Sequence, residues 1–312
     1  MICDLSRPSV PLDRKRAEMS AHAKGYGIIV GADGSPASDA AVGWAAHDAV
    51  LHHLPLTVVH VVNPVATAWP YSPLPDGVAL WQENEGRRIL AEAVKLARDV
   101  AKEDPRVSIE SELIFSATAA TLVDLSKEAE LMVVGTYGRG ALARGLLGSV
   151  SSSLLRHAHC PVAVIRDEEP RMPHPAQAPV LVGIDGSPAS ELAIQIAFDE
   201  ASRRHVNLVA VHAWSDTEIF ELPGLDWSAV KGEEERILAE GLAGWQERYP
   251  DVTVHRLLVC DRPARVLVET SETAQLVVRG SHGRGLTGML LGSVSNAVVQ
   301  SVRMPVIVAR RS

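Results

Sequence analysis

The chain has 312 residues, 46% apolar and 22% charged, with a net charge of −8; at roughly 100–200 residues per domain this is material for two globular domains. No long basic run marks a nucleic-acid or anionic-membrane partner, and no apolar stretch approaches the ~18 residues that span a bilayer. Nucleic acid and membrane are therefore excluded as partners, and a cytoplasmic location is expected.

Residues 1–24 lack the apolar core of a signal peptide and read as a disordered leader, with Met19 as an alternative start. From there short β-branched apolar runs alternate with longer amphipathic stretches, the pattern of a parallel sheet covered on both faces. The runs predict strands near 27–32, 56–62, 107–114, 131–135 and 161–166, with helices near 36–53, 80–103, 119–129 and 148–158. Ser35 followed by Pro36 reads as an N-cap with proline at the first helical position. A Pro-rich stretch, EEPRMPHPAQAP at 168–179, then reads as an exposed linker.

Beyond it the pattern starts again. IIVGADGSPASD (28–39) returns as VLVGIDGSPASE (180–191), and LTVVHVVN (56–63) as LVAVHAWS (208–215). LMVVGTYGRGALARGLLGSVSSSL (131–154) returns as LVVRGSHGRGLTGMLLGSVSNAV (276–298), and CPVAVIRD (160–167) as MPVIVARR (304–311). Strands are expected near 179–184, 206–213, 252–259, 276–280 and 305–310, with helices near 188–204, 228–248, 263–273 and 292–302. The reading is two tandem α/β domains, 25–167 and 180–312, each a five-stranded parallel sheet between helices.

Ligands of such sheets bind beyond the carboxyl ends of the strands. Two features lie there in each half. One is an Asp after the first strand, Asp33 and Asp185; either it closes an Asx turn or it accepts hydrogen bonds from a base or ribose. The other is a glycine-rich turn after the fourth strand. In the first half Gly135 and Gly138 are followed, after nine residues, by Gly148 and Ser149. Glycine amides approach phosphate oxygens without a Cβ in the way, and Ser149 opens a helix whose free amides and dipole favour anions. Arg139 and Arg144 add charge. Recurrence of the turn in both halves, each time between strand and helix, argues against a merely structural turn. His60 and His212, at matching places in the second strands, read as core residues rather than metal ligands, since no second ligand has suitable spacing. Cys160 and Cys260 read as core thiols, and the odd count with Cys3 excludes a disulfide framework. The connections ATAWPYSPLPDGVALW (66–81) and WSDTEIFELPGLDWSAV (214–230) share a Leu-Pro and a later Trp, and serve as a lid, an interface patch or a loop packed on the sheet.

The repeated G-x2-G-x9-G-S/T motif with its preceding Asp resembles the universal stress protein family in its tandem, mycobacterial-type form, over about 25–311. The resemblance implies a Rossmann-like fold that binds ATP with magnesium, and a role in stress response, growth control and dormancy. It places Asp33 at the adenine-ribose part and Val61 as a backbone contact to the adenine, with Gly31 among the nucleotide-binding residues. Gly135, Gly138, Gly148 and Ser149 would hold the phosphates, with Thr136, Tyr137, Arg139, Gly140 and Val150 also nucleotide-binding. The second set would be Gly183, Asp185, Ala213, Gly280, Gly283, Arg284, Gly285, Gly292, Ser293 and Val294. Other adenine nucleotides, such as cyclic AMP, stay open, as do a homodimer and an unknown protein partner. The last strands of the two halves are expected to pair within the chain.

The second half departs from the motif: eight residues separate Gly283 from Gly292, and Arg279 stands where the first half has Val134. Arg279 is expected either to reach a phosphate or to extend into solvent, since an unpaired buried arginine is costly. No Walker lysine and no base aimed at an attacking water appear. The reading is a regulatory binding protein, with a slow ATPase or a scaffold carrying one degenerate site as alternatives.

Overall fold

A computed structural model describes residues 26–63, 77–102, 104, 106–138, 147–167, 177–214, 227–282 and 291–310, with the side chains of 227–229 left aside. The first half runs β1 (Ile28–Gly31), α1 (Pro36–His52), β2 (Leu56–Val62), α2 (Val78–Ala101), β3 (Ile109–Phe115), α3 (Thr118–Leu125), β4 (Leu131–Gly135), α4 (Ser149–His157) and β5 (Val162–Ile165). The second repeats it: β6 (Val180–Gly183), α5 (Pro188–Arg204), β7 (Leu208–Ala213), α6 (Trp227–Leu242), α7 (Trp245–Arg248), β8 (Val254–Val259), α8 (Pro263–Ser271), β9 (Leu276–Gly280), α9 (Ser293–Ser301) and β10 (Val306–Ala309). The caps follow the sequence: Ser35 Oγ accepts the Ser38 amide at 3.3 Å, and Ser187 Oγ accepts that of Ser190 at 3.2 Å, each ahead of a proline at the first helical position. The one helix expected near 228–248 is two, parted at Gly244, whose φ of 75° ends the α-helical run.

The two five-stranded parallel sheets are joined edge to edge in the order β3-β2-β1-β4-β5-β10-β9-β6-β7-β8. β5 and β10 meet antiparallel, with Val306 opposite Val164 and Val308 opposite Val162, while every other pairing is parallel. Alternation along these strands carries the core across the junction. Ala163, Ile165, Ile307 and Ala309 face the layer of α1 and α5, while Val162, Val164, Val306 and Val308 face that of α4 and α9. Pairing the two last strands removes both of them as exposed edges. β3 and β8 remain as the edges and carry Glu110, Glu112, His255 and Arg256 along them.

The junction is also fastened on its α1–α5 side. The Arg204 guanidinium donates to Asp48 Oδ1 at 2.7 Å and to Glu200 Oε2 at 2.9 Å, and His52 Nε2 lies 3.1 Å from Glu200 Oε1. The side chains of Asp48, Glu200 and Arg204 are all buried. Burial, then the neighbouring Glu200, push the Asp48 carboxyl up to about 7. Burial works against protonated His52, but its bond to Glu200 and the charge of Asp48 outweigh it and raise its pKa. Glu200 moves the other way: His52 and Arg204 overcome the burial and lower it.

Of the two described cysteines, Cys160 is in the core, with its thiol pushed up to about 12 by burial. Cys260 is only half-buried just past β8, because an edge strand has cover on fewer sides. Cys3 and the leader lie outside the described residues. Among the described residues no helix is long and apolar enough to cross a membrane.

Candidate functional site

β1 and β4 lie side by side, with Ile28 opposite Leu131 and Val30 opposite Val133. The chain leaves both at their carboxyl ends, β1 toward α1 and β4 toward α4. The cleft between those exits is a cavity of about 530 Å³. Gly31, Asp33, Val61, Gly135, Tyr137, Gly138, Gly148, Ser149 and Val150 line it together. Thr136 does not: its side chain is buried, and its carbonyl accepts the Gly148 amide at 2.7 Å, pulling the turn onto the start of α4. Arg139, Gly140 and Arg144 lie outside the described residues, as do 64–76 and 215–226 of the two Pro- and Trp-containing connections.

Asp33 is held by its neighbours. Its Oδ1 accepts the Ser35 amide at 2.9 Å, and its own amide donates to Ser38 Oγ at 3.0 Å. Asp33 thus closes the Asx turn with one oxygen while its side chain also lines the cavity. A Cβ on Gly138 would lie 2.4 Å from Asp33 Oδ2, so only glycine lets the turn pass so close. A Cβ on Gly135 would lie 2.7 Å from the Ala37 backbone, which fixes how closely β4 approaches α1. No side chain caps α4, unlike α1, and its first-turn residues Ser149, Val150 and Ser151, whose amides have no partner within the helix, line the cavity. The walls behind are apolar: Val59, Val61, Leu122 and Val134.

The second half gathers the same set around a different centre. Asp185 Oδ1 accepts the Ser187 amide at 3.0 Å and the Ser187 hydroxyl at 2.6 Å. Gly280 packs on the Ala189 backbone as Gly135 does on Ala37, and Gly292 and Ser293 open an uncapped α9 with Val294 behind them. Ala213 ends β7. Gly283, Arg284 and Gly285 lie outside the described residues.

The difference is Arg279, which does not extend into solvent. It is 6% exposed and turns back to Asp185, with Nη2 3.3 Å from Oδ2 and Nε 3.4 Å from Ser295 Oγ. Its Nη1 lies 3.1 Å from where a Cβ on Gly183 would be, whereas the matching point on Gly31 meets Val134 at 3.5 Å. A buried guanidinium requires a carboxylate partner, and Asp185 is the one at hand. Arg279 thus crosses the space that the first half keeps open between β1, β4 and Asp33.

A model of the universal stress protein family matches residues 27–166 and again 178–310. The chain belongs to the universal stress protein family. A universal stress protein of Mycobacterium tuberculosis is 63% identical over 295 residues, covering 94% of this chain and 100% of the relative. A second one from that organism is 57% identical, covering 94% and 99%. The crystal structure of a universal stress protein from Archaeoglobus fulgidus covers 93% of this chain and 100% of its own, with a TM-score of 0.66 at 19% identity, a likeness of fold.

Within this universal stress protein His212 is a buried core residue, while His60 is half-buried and lines the cavity. Its Nδ1 donates to the Ala32 carbonyl at 2.6 Å while the ring lines the cavity. His212 makes the matching bond to Ile184 at 2.7 Å, but its Nε2 also meets Glu234 at 2.5 Å. In the first half Gly86 packs beside the ring instead; a Cβ there would lie 3.1 Å from His60 Cδ2. Sequence reasoning missed His60, Ser38, Thr118 and Ser151 as wall residues. For Ser38 the signal was present in the repeated SPAS, which returns it as Ser190.

Proposed function

We propose that this universal stress protein binds one adenine nucleotide per chain, in the first half, with ATP as the form it takes, and that occupancy controls its conformation or partners in a stress response. The observation carrying this reading is the convergence of Asp33, Gly138 and the uncapped amino end of α4 on one cavity of about 530 Å³, within the range of roughly 300–1,000 Å³ typical of small-molecule sites. The chemistry is divided along it. Amides at the start of α4 and the Cβ-free Gly138 suit phosphate oxygens, the cavity-lining carboxylate of Asp33 suits ribose hydroxyls, and Val59, Val61 and Leu122 suit the face of a base.

Magnesium would come with the phosphates. Among the described wall residues Asp33 is the one carboxylate, and Ser35 and Gly138 hem it in. Binding without rapid turnover is favoured for a related reason. The titratable groups of the described wall are Asp33, His60 and Tyr137. Asp33 closes a turn, His60 Nδ1 is committed to Ala32, and the Tyr137 hydroxyl donates to Asp167 Oδ1 at 2.6 Å. Each has a structural bond of its own, and nucleotide binding rather than hydrolysis is the reading they favour.

The test is to denature freshly purified protein and measure released nucleotide by chromatography, then titrate emptied protein with Mg-ATP. One nucleotide per chain is expected. Two per chain would overturn the single-site claim, and none in either measurement would overturn nucleotide binding itself.

A further inference from the structure

α4, whose first turn lines the first-half cavity, has only nine residues, about 13 Å of helix. A helix so short has little stability of its own, so what holds its far end also sets where Ser149 stands. Part of that end is tied within the first half: the Ala158 amide donates to the Leu154 carbonyl at 2.9 Å, and the His159 amide to Ser126 Oγ at 2.9 Å. The Leu155 carbonyl, one of the last four that a helix cannot satisfy internally, is taken from across the junction. Arg310, the residue after β10, donates to it from Nη1 at 2.7 Å. The contact is partly buried, where an unmet carbonyl is costly, and the guanidinium sits at the negative end of the helix dipole.

The mirror contact exists. Arg166, the residue after β5, donates from Nη2 to the Val299 carbonyl at 3.1 Å and to that of Gln300, at the carboxyl end of α9. Each half thus sends one arginine past the β5–β10 pairing to the end of the other half's phosphate-side helix. The two contacts are alike in kind and differ in what lies at the other end of the helix. α4 leads to the open cavity, and α9 leads toward the space crossed by Arg279.

We infer that Arg310 is a positioning residue of the first-half site, supplied by the second half: by holding the Leu155 carbonyl it fixes the end of α4 that bears Ser149. This rests on the reading of that cavity as a nucleotide site, and it gives the second half a task in it. The second half completes the first site from behind.

The matched pair of arginines supplies the experiment. In the full chain, Arg310→Gln is expected to weaken ATP binding roughly tenfold, and Arg310→Lys, which keeps charge and one donor, to recover part of it. Arg166→Gln disturbs the same junction from the other side and is expected to leave ATP affinity within about twofold. Amide exchange reads the same contrast without ligand: Arg310→Gln speeds exchange at the Ser152 and Ala158 amides, and Arg166→Gln speeds it at Asn296 and Val302. Equal loss of affinity in both glutamine variants would show a general loosening of the junction and overturn the inference. So would an Arg310→Gln protein with unchanged α4 exchange. If the wild-type chain binds no ATP, the functional reading falls, while the exchange at Ser152 still decides whether Arg310 holds the site end of α4.

Discussion

Apart from the short extra helix α7, the two halves run the same elements in the same order, with the same serine caps, the same Asx turn and the same close packing of a glycine on the first helix. Their sites nonetheless differ in kind. At one strand position Val134 becomes Arg279, and a wall becomes an occupant. The second change, Gly86 to Glu234, points the same way: where the first half keeps a histidine at the cavity wall, the second closes its ring with a carboxylate. A cation facing Asp185 does from within the chain part of what a bound ligand would do from outside, by giving a half-buried carboxylate its partner. Duplication preserved the scaffold because its packing is repeated in every strand. A site depends on a few side chains, so one residue alters it without disturbing the sheet.

The largest expected effect comes from removing what makes the first half open. Val134→Arg copies the second half into the first, with Asp33 placed to receive the guanidinium as Asp185 does. ATP binding should fall at least about a hundredfold with the fold retained, because the second half already accommodates that arginine. Gly138→Ala tests the same cavity from the other side. Its Cβ would lie 2.4 Å from Asp33 Oδ2, and since a carboxylate moves more readily than backbone, the variant should fold while losing nucleotide. Gly135→Ala, by contrast, drives a Cβ into the Ala37 backbone at 2.7 Å and should lower the melting temperature. Titration and thermal melting of the three together separate site from scaffold; a Val134→Arg protein that binds ATP normally would end the comparison as drawn.

The reverse change should gain less. Arg279→Val removes the occupant but restores neither the ninth residue between Gly283 and Gly292 nor the freedom of His212. We expect released nucleotide to rise above one per chain only when Arg279→Val is combined with an inserted loop residue, with affinity at the new site about tenfold below that of the first. A ratio still at one in the combined variant would mean that Arg279 is not what closes the second half.

Much of this was legible in the sequence because it rests on repetition. The repeated runs and Ser-Pro caps located every strand and nearly every helix, and the glycine spacing pointed to the cavity beside β4 and marked the second half as departing from it. What could not be read was direction. Arg279 was identifiable as foreign to a buried strand, but where its side chain turns depends on Asp185, 94 positions away. The same holds for Arg310 and Leu155, which become neighbours only once β5 and β10 have paired. Gly244 shows the local version: within an amphipathic run, one left-handed glycine splits a helix without changing its apolar pattern.

The smallest expected effect concerns the region where the halves remain most alike, the α1–α5 junction. Asp48 and Glu200 occupy matching positions, as do His52 and Arg204, so two related pairs face each other. His47, lowered by burial and then by Arg204, and Asp199, 3.4 Å from His52 Nδ1, complete the titratable surroundings. The Asp48 pKa is raised from 3.8 to about 7. Its contribution is therefore fully present below its unfolded value and is lost as pH rises toward 7. His52 is raised from 6.5, so its contribution is lost above that value. Glu200, lowered from 4.5, acts in the opposite sense and matters only as pH falls below that value. The melting temperature should thus decline between about pH 5 and pH 8. In Asp48→Asn the decline up to about pH 7 should largely vanish, leaving the part due to His52. Melting curves across that range decide it. A wild-type melting temperature that is flat or rising from pH 5 to pH 8 would show that Asp48 is ionised throughout, held by Arg204 strongly enough to overcome its burial. The junction would then be a fixed ion pair, and the halves would differ in their sites alone while sharing a joint indifferent to pH.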